Sequence, residues 1–307
     1  MKKDVIIPLK QFENFILEVF ILSFNIAITS DSTCDLSPEL KERYNVGILP
    51  LGVTLDNKTY LDGVDITPDD IYEYHKKTGV LPKTTAANLG DCIDFFKKYA
   101  DEGKAVIHFT ISSEMSSTYN NARMAAEEFE NIFVIDTKNL STGGGLLVVA
   151  AAEMASKGMA PEAIVEEIQG LVPCVDASFI IDNLEYLHKG GRCSAVAMLG
   201  ANLLKLKPCI EVKNGSMGVG KKYRGKFLDV LKTYTEERLG DGSGIDLDRV
   251  FVTHAGCDEE IVEAVVAEVK KLGKFKEVFI TRAGCTISSH CGKDTLGVLF
   301  IRKEPIA

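Results

Sequence analysis

From residue 24 onward the chain alternates short, β-branched apolar runs with amphipathic stretches of helical period, and that rhythm limits the possible folds more than any other feature. "FNIAITSDSTCDLSPEL" reads as a buried strand, a polar turn and a helix with Ser37 as N-cap and Pro38 as first helical residue. "DITPDDIYEYHKK" repeats the pattern: Thr67 caps, Pro68 starts and Asp70 completes a capping box. "GDCIDFFKKYADEG" sets Ile93, Phe96 and Ala100 on one helical face and ends at Gly103, while "KAVIHFTI" and "IFVID" read as strands flanking the helix "SSTYNNARMAAEEFEN". "GLLVVAAAEMASKGM" is apolar on nearly every side, which predicts a buried helix, and "PEAIVEEIQGLV" predicts another after it. Such alternation predicts a parallel sheet with helices on both faces.

The second half reads differently. "ASFIID" predicts a strand, and "LEYLHKGGRCSAVAMLGANLLKL" a loop followed by an apolar helix. "KPCIEVKNGSMGVGKKYRG" predicts two strands around an Asn-Gly turn. Two amphipathic helices follow, "KFLDVLKTYTEERL" and "DEEIVEAVVAEVKKLG", the second with Ile261, Val265, Val269 and Leu272 on its face. The strands "RVFVTH", "KEVFIT" and "TLGVLFIRK" lie between and after them, and "GDGSGIDLD" reads as a surface loop. The hairpin favours a mixed or antiparallel sheet in this half. With 307 residues there is chain enough for about two domains. The expected fold class is therefore α/β with an N-terminal extension (1–23), a parallel α/β domain (24–170) and a second α/β domain with a mixed or antiparallel sheet (171–307).

Charge excludes some partners. Against 35 basic residues stand 44 acidic ones, a net of −9, which disfavours nucleic acid and anionic membrane surfaces. The opening "MKKDVIIPLKQFENFILEVFILSF" is interrupted by Lys10, Gln11, Glu13, Asn14 and Glu18, so it falls short of the ~18 apolar residues of a membrane span. It reads as an amphipathic helix ahead of the first strand. The eight cysteines form no CxxC pair and are expected as reduced thiols packed as small apolar residues. His254, Cys257, Cys285, His290 and Cys291 carry the right atoms for zinc, but their spacing matches no compact module, so no metal is expected.

Polar side chains gather in three stretches. "LPKTTAANLGD" places Thr84 and Thr85 just before a helix. "FTISSEMSSTYNNA" holds Ser112, Ser113, Ser116, Ser117 and Thr118, and "TISSHCG" holds His290 in what reads as a loop between strands. Any one of these hydroxyls is accounted for by helix capping. Five within residues 112–118 exceed the need of one cap, and a helix N-terminus with extra donors suits an anion. His290 adds a third donor, charged if protonated. Ser116 with His290 leaves open an acyl hydrolase or transferase. However, GxSxG is absent, no acid is placed to orient the imidazole, and the phosphate-loop patterns GxxxxGK[ST] and GxGxxG are missing.

Taken in order, "ITSDSTCDLSPELKERYNVGILPLGVTLDNKTYLDGVDIT", "LPKTTAAN", "ISSEMSSTYNNARMAA", "LEYLHKGGRCS", "KKYRGK" and "ISSHCGKDTLGV" resemble the DegV family from about residue 24 to the C-terminus. The resemblance implies a bacterial, cytoplasmic, two-domain α/β protein that buries one long-chain fatty acid, such as palmitate, between its domains. The resemblance further implies no cofactor and no catalytic residues of its own. It also implies a partner, a separate ATP-dependent fatty-acid kinase protein that phosphorylates the bound carboxylate. By motif, the carboxylate-binding residues fall on Thr84, Ser116 and His290, with Thr85 and Arg192 as further candidates and Arg224 as the kinase contact. The chain departs from the family where Thr-Ser-Gln-Pro has become "TTAA", where a glycine has become Ser117, and where the last loop reads "HCGKD". Lys293 and Asp294 are accordingly expected near the head group. About fourteen methylenes offer ~11 kcal/mol of gross transfer free energy. A buried carboxylate needs several donors to stay ionised. The apolar runs "GLLVVAAAEMA" and "SAVAMLGANLLKL" are candidate walls or core.

Overall fold

A computed structural model describes residues 25–194 and 206–306. The expected N-terminal helix and most of the apolar helix in "SAVAMLGANLLKL" lie outside the described residues. β1 (Ile26–Asp31) is buried along almost its whole length, as a strand covered on both faces must be. The helix Pro38–Arg43 follows, with Ser37 Oγ accepting from the Leu40 amide. Then come β2 (Gly47–Leu49), β3 (Gly52–Leu55) and β4 (Lys58–Leu61), the last two joined through Asp56 and Asn57, both at positive φ as a tight hairpin turn requires. The helix Pro68–Thr78 carries the predicted Thr67–Asp70 capping box. β5 (Lys83–Thr85), the helix Leu89–Ala100, β6 (Ala105–Thr110), the helix Thr118–Ala126 and β7 (Ile132–Asp136) complete this stretch. The first sheet runs β2-β1-β6-β7 and is parallel throughout, as the alternation predicts.

The buried helix Thr142–Ser156 lies against β1 on one side and, on the other, against the final strand of the second half. Its apolar residues pack as core, which settles the choice left open for that segment. Beyond the helix Pro161–Leu171 come β8 (Val175–Asp176), β9 (Ser178–Ile181), a short helix Glu185–Gly190 where a loop was expected, β10 (Lys207–Lys213) and β11 (Ser216–Tyr223). The helix Phe227–Leu239, β12 (Ile245–His254), the helix Glu259–Leu272, β13 (Glu277–Arg282), a helix Cys285–Cys291 and β14 (Thr295–Arg302) close the chain. The sheet order is β11-β10-β9-β14-β12-β13, with β8 also on β14. Only the β12–β13 pair is parallel, so the sheet is mixed.

Three local expectations need correction. The end of "GDGSGIDLD" is not loop, because β12 begins at Ile245. The face of the helix Glu259–Leu272 is carried by Val262, Val265, Val266 and Val269, while Ile261 and Leu272 are only partly buried. A third sheet, β4-β3-β5, is antiparallel and small, and it was not foreseen.

The two halves are tied by polar contacts. Arg43 pairs with Glu277 at 2.7 Å, Arg282 makes a two-pronged contact with Asp69, and Ser112 Oγ donates to the Gly215 carbonyl at 2.7 Å.

Candidate binding site between the two halves

A cavity of about 220 Å³ opens between the halves, and its wall includes Thr84, Thr85, Ser116, Arg192 and His290. Apolar side chains from both halves, among them Leu51, Ile111, Met217 and Ile287, make up much of the rest. A separate pocket of about 30 Å³ shares Leu140, Ile287 and Cys291 with its wall and is lined also by Phe179, Thr253, His254 and Leu299. Hydroxyl, imidazole and guanidinium groups thus share one cavity with apolar side chains.

His290 does not sit in a loop. It lies on the helix Cys285–Cys291, bracketed by Gly284 and by Gly292 at positive φ. Thr286, Ile287, His290 and Cys291 project from one helical face into the cavity, as spacing of one and four residues dictates. So short a helix of Ser, Thr and Cys has little stability alone. Its N-terminus is held from the other half: Asp62 accepts from the amides of Cys285 (2.7 Å) and Thr286 (2.9 Å), and Asp35 accepts from the Gly284 amide (2.7 Å). Asp62 also accepts from Ser32 Oγ at 3.0 Å, and Ser141 Oγ donates to Asp35.

A third acid, Asp31, accepts from the amides of Thr33 (3.0 Å) and Ile111 (2.8 Å), which fixes the start of the Ser112–Ser116 turn. Burial raises Asp35 to about 8 and Asp31 to about 6; in each case hydrogen bonds pull back and the neighbouring acids push further up. These three aspartates escaped the sequence reading. Two of them stand in "SDSTCDL", whose density of short polar residues inside a strand-to-helix turn was the available signal.

Thr84 Oγ1 and His290 Nε2 are 2.8 Å apart. Thr84 lies on β5, opposite Val53 of β3 in the small antiparallel sheet. "KTT" shows no apolar alternation from which that strand could be read. Thr85, the next residue of the strand, borders the cavity too but is exposed, with its Oγ1 turned to Gly52 of β3. Burial, with the Arg192 charge second, pushes His290 down to about 4, so the imidazole is neutral at pH 7 and serves as a donor without a charge. Its Nδ1 has no partner among the described residues and lies against Gly190, where a Cβ would come within 2.6 Å.

Ser116 Oγ lines the cavity, 2.9 Å from Thr118 Oγ1, and accepts from the Thr118 amide at 3.2 Å. Part of its capacity is therefore spent on the local turn. Ser112 and Ser113 are used structurally, the latter accepting from Lys138 Nζ at 2.9 Å. Ser117 stands at the N-cap without capping. Arg192 is exposed at the wall and donates to the Gly190 carbonyl at 2.8 Å.

Arg224 is exposed just after β11 and does not line the cavity. Lys293 and Asp294 do not line the cavity either, and the Asp294 amide donates to the Ala255 carbonyl, which is also outside its wall. No hydrogen bond joins Ser116 to His290, and no carboxylate meets the imidazole among the described residues, so the arrangement of a hydrolytic triad is not formed. The described residues also contain no group of three His, Cys, Asp or Glu side chains able to hold a metal ion. Among them no helix is long and apolar enough to cross a membrane.

Comparison with known proteins gives one consistent answer. A family model described as "Uncharacterised protein, DegV family" matches residues 25–303. A DegV domain-containing protein of Clostridium acetobutylicum is 32% identical over 286 residues, covering 91% of this chain and 99% of the relative. Among solved structures, a Thermus thermophilus DegV family protein described by its fatty acid binding superposes with a TM-score of 0.84 at 30% identity, covering 91% of this chain and all of that one. A stearic acid-binding protein from Eubacterium ventriosum gives 0.77 at 30% identity, covering 91% and 98%. This chain belongs to the DegV family.

Proposed function

We infer that the protein binds a long-chain fatty acid between its halves, 24–170 and 171–307, and offers the carboxylate to a separate ATP-dependent kinase that forms the acyl phosphate. The observation that carries the reading is the Thr84–His290 contact of 2.8 Å in the wall of a cavity that also receives Ser116. With Nδ1 of His290 unpartnered, the Nε2–H tautomer leaves a lone pair and not a buried N–H without a mate. Nε2–H then donates to Thr84 Oγ1, and the threonine proton is free to point at a carboxylate oxygen. Ser116 supplies a second hydroxyl, and Arg192 at the wall adds positive potential. The hydrogen bonds would keep the head group ionised. The apolar side chains of the same cavity, among them Leu51, Ile111, Met217 and Ile287, offer the surface against which the tail packs.

The fatty acid binding described for the Thermus thermophilus and Eubacterium ventriosum proteins supports the same reading. Thr84 is the hydroxyl within reach of the imidazole, but no acid stands behind Nδ1 among the described residues to orient it as a base, and in this reading chemistry on the lipid falls to the partner. In this reading Arg224, outside the cavity, contacts that kinase, and the protein works in the cytoplasm. Mass spectrometry of lipid extracted from the purified protein, with uptake of palmitate by stripped protein, tests the binding. An empty protein that takes up no palmitate rejects it. Acyl phosphate formation with an added DegV-associated kinase, lost in Arg224→Ala while palmitate binding persists, tests the partnership.

A further inference from the structure

Thr286 is the one buried hydroxyl on the cavity wall that the carboxylate reading leaves unused. The residue is 6% exposed, its Oγ1 has no hydrogen-bond partner among the described residues, and it borders the same cavity as Thr84 and His290. Its backbone is pinned, since the Thr286 amide donates to Asp62 at 2.9 Å. A threonine in a helix ordinarily spends its hydroxyl on a nearby backbone carbonyl. This one does not, although Ser289 on the same helix donates to the Cys285 carbonyl at 2.7 Å. A buried hydroxyl without a mate is destabilising, and valine of the same shape would be better tolerated there.

Thr286 stands one turn before His290 on the same face, about 6 Å along the axis. Its hydroxyl is therefore displaced from the Thr84–His290 pair, toward ligand atoms beyond the carboxyl group. Ile287, the next residue, turns apolar surface to the same cavity. The unmated hydroxyl thus stands in the same cavity as the Thr84–His290 pair, one helical turn away from it.

We propose that Thr286 reads a second oxygen on the ligand, making the preferred lipid a fatty acid hydroxylated close to its carboxyl end. This rests on the fatty-acid reading above and narrows its substrate class. A site that leaves a polar group unmated with the plain ligand discriminates in favour of the one that mates it.

The test measures affinities of stripped protein for palmitate and for racemic 2- and 3-hydroxypalmitate by calorimetry. The native protein should bind at least one hydroxy acid about 3- to 10-fold more tightly than palmitate, the worth of one hydrogen bond. Thr286→Val should erase that preference while palmitate still binds, and Thr286→Ser should keep it. Palmitate bound as tightly as both hydroxy acids, or a preference that survives in Thr286→Val, overturns the assignment while leaving fatty-acid binding standing. Failure of all three lipids to bind rejects the fatty-acid reading and this one with it.

Discussion

Thr84 and His290 are separated by 206 residues in sequence and by 2.8 Å in space. One stands on the middle position of a three-residue strand and the other near the end of a seven-residue helix, so neither element could present its side chain without the other half of the chain. Because the two share one hydrogen bond, their removal should not be additive. Thr84→Val and His290→Gln are each expected to weaken palmitate binding about 3- to 10-fold, with the double variant well short of the product. Strict additivity in calorimetric affinities would show that the pair does not act as a unit.

Acid and alkali should destabilise the protein through different residues. Burial pushes His108 down to about 3 and His290 to about 4, from an ordinary 6.5. Below pH 6.5 the unfolded imidazoles take up protons that the folded ones refuse, so stability falls as pH drops through that window. Asp31 and Asp35 work in the opposite sense. Their folded carboxyls keep protons up to about 6 and about 8, whereas unfolded ones release them near 3.8, so stability falls as pH rises through that range. Asp35→Asn cannot ionise, and its melting temperature should decline less than the native protein's between pH 6 and 8. Parallel melting curves over that interval would mean that Asp35 is already ionised in the fold.

Asp62 holds the His290 helix by two amides while buried at 3% exposure. Asp62→Ala strands both donors and should cost about 2–4 kcal/mol in urea unfolding. Asp62→Asn keeps an acceptor and should cost less. Because the helix carries His290, palmitate affinity should fall in the same order. Unchanged affinity in a folded Asp62→Ala protein would detach the helix clamp from the site.

Gly190 ends its helix against the imidazole, and an added methyl would come within 2.6 Å of His290 Nδ1. Gly190 is not among the positive-φ glycines, so alanine strains no backbone there. Gly190→Ala should therefore stay folded, turn the ring away from Thr84 and weaken palmitate binding up to about tenfold. Native-like affinity would show that the ring's position is not set by this contact.

Periodicity and capping chemistry by themselves determined most of the architecture. The parallel order of the first sheet, the Thr67–Asp70 box, the Asn-Gly hairpin and the buried Thr142–Ser156 helix follow from patterns within a few residues of each other, because local backbone preference and a one-sided or two-sided apolar face are written locally. Thr84, Ser116 and His290 could be singled out as chemistry-bearing positions, but not placed. Only the tertiary structure decided that "KTT" is a strand, that "CTISSHC" is a helix, and that Lys293 and Asp294 do not line the cavity. The physical reason is that these segments are too short and too polar to fold on their own preference. Asp35 and Asp62, more than two hundred residues upstream, supply the acceptors that make the His290 helix, and that debt to a distant partner leaves no periodic trace in the sequence.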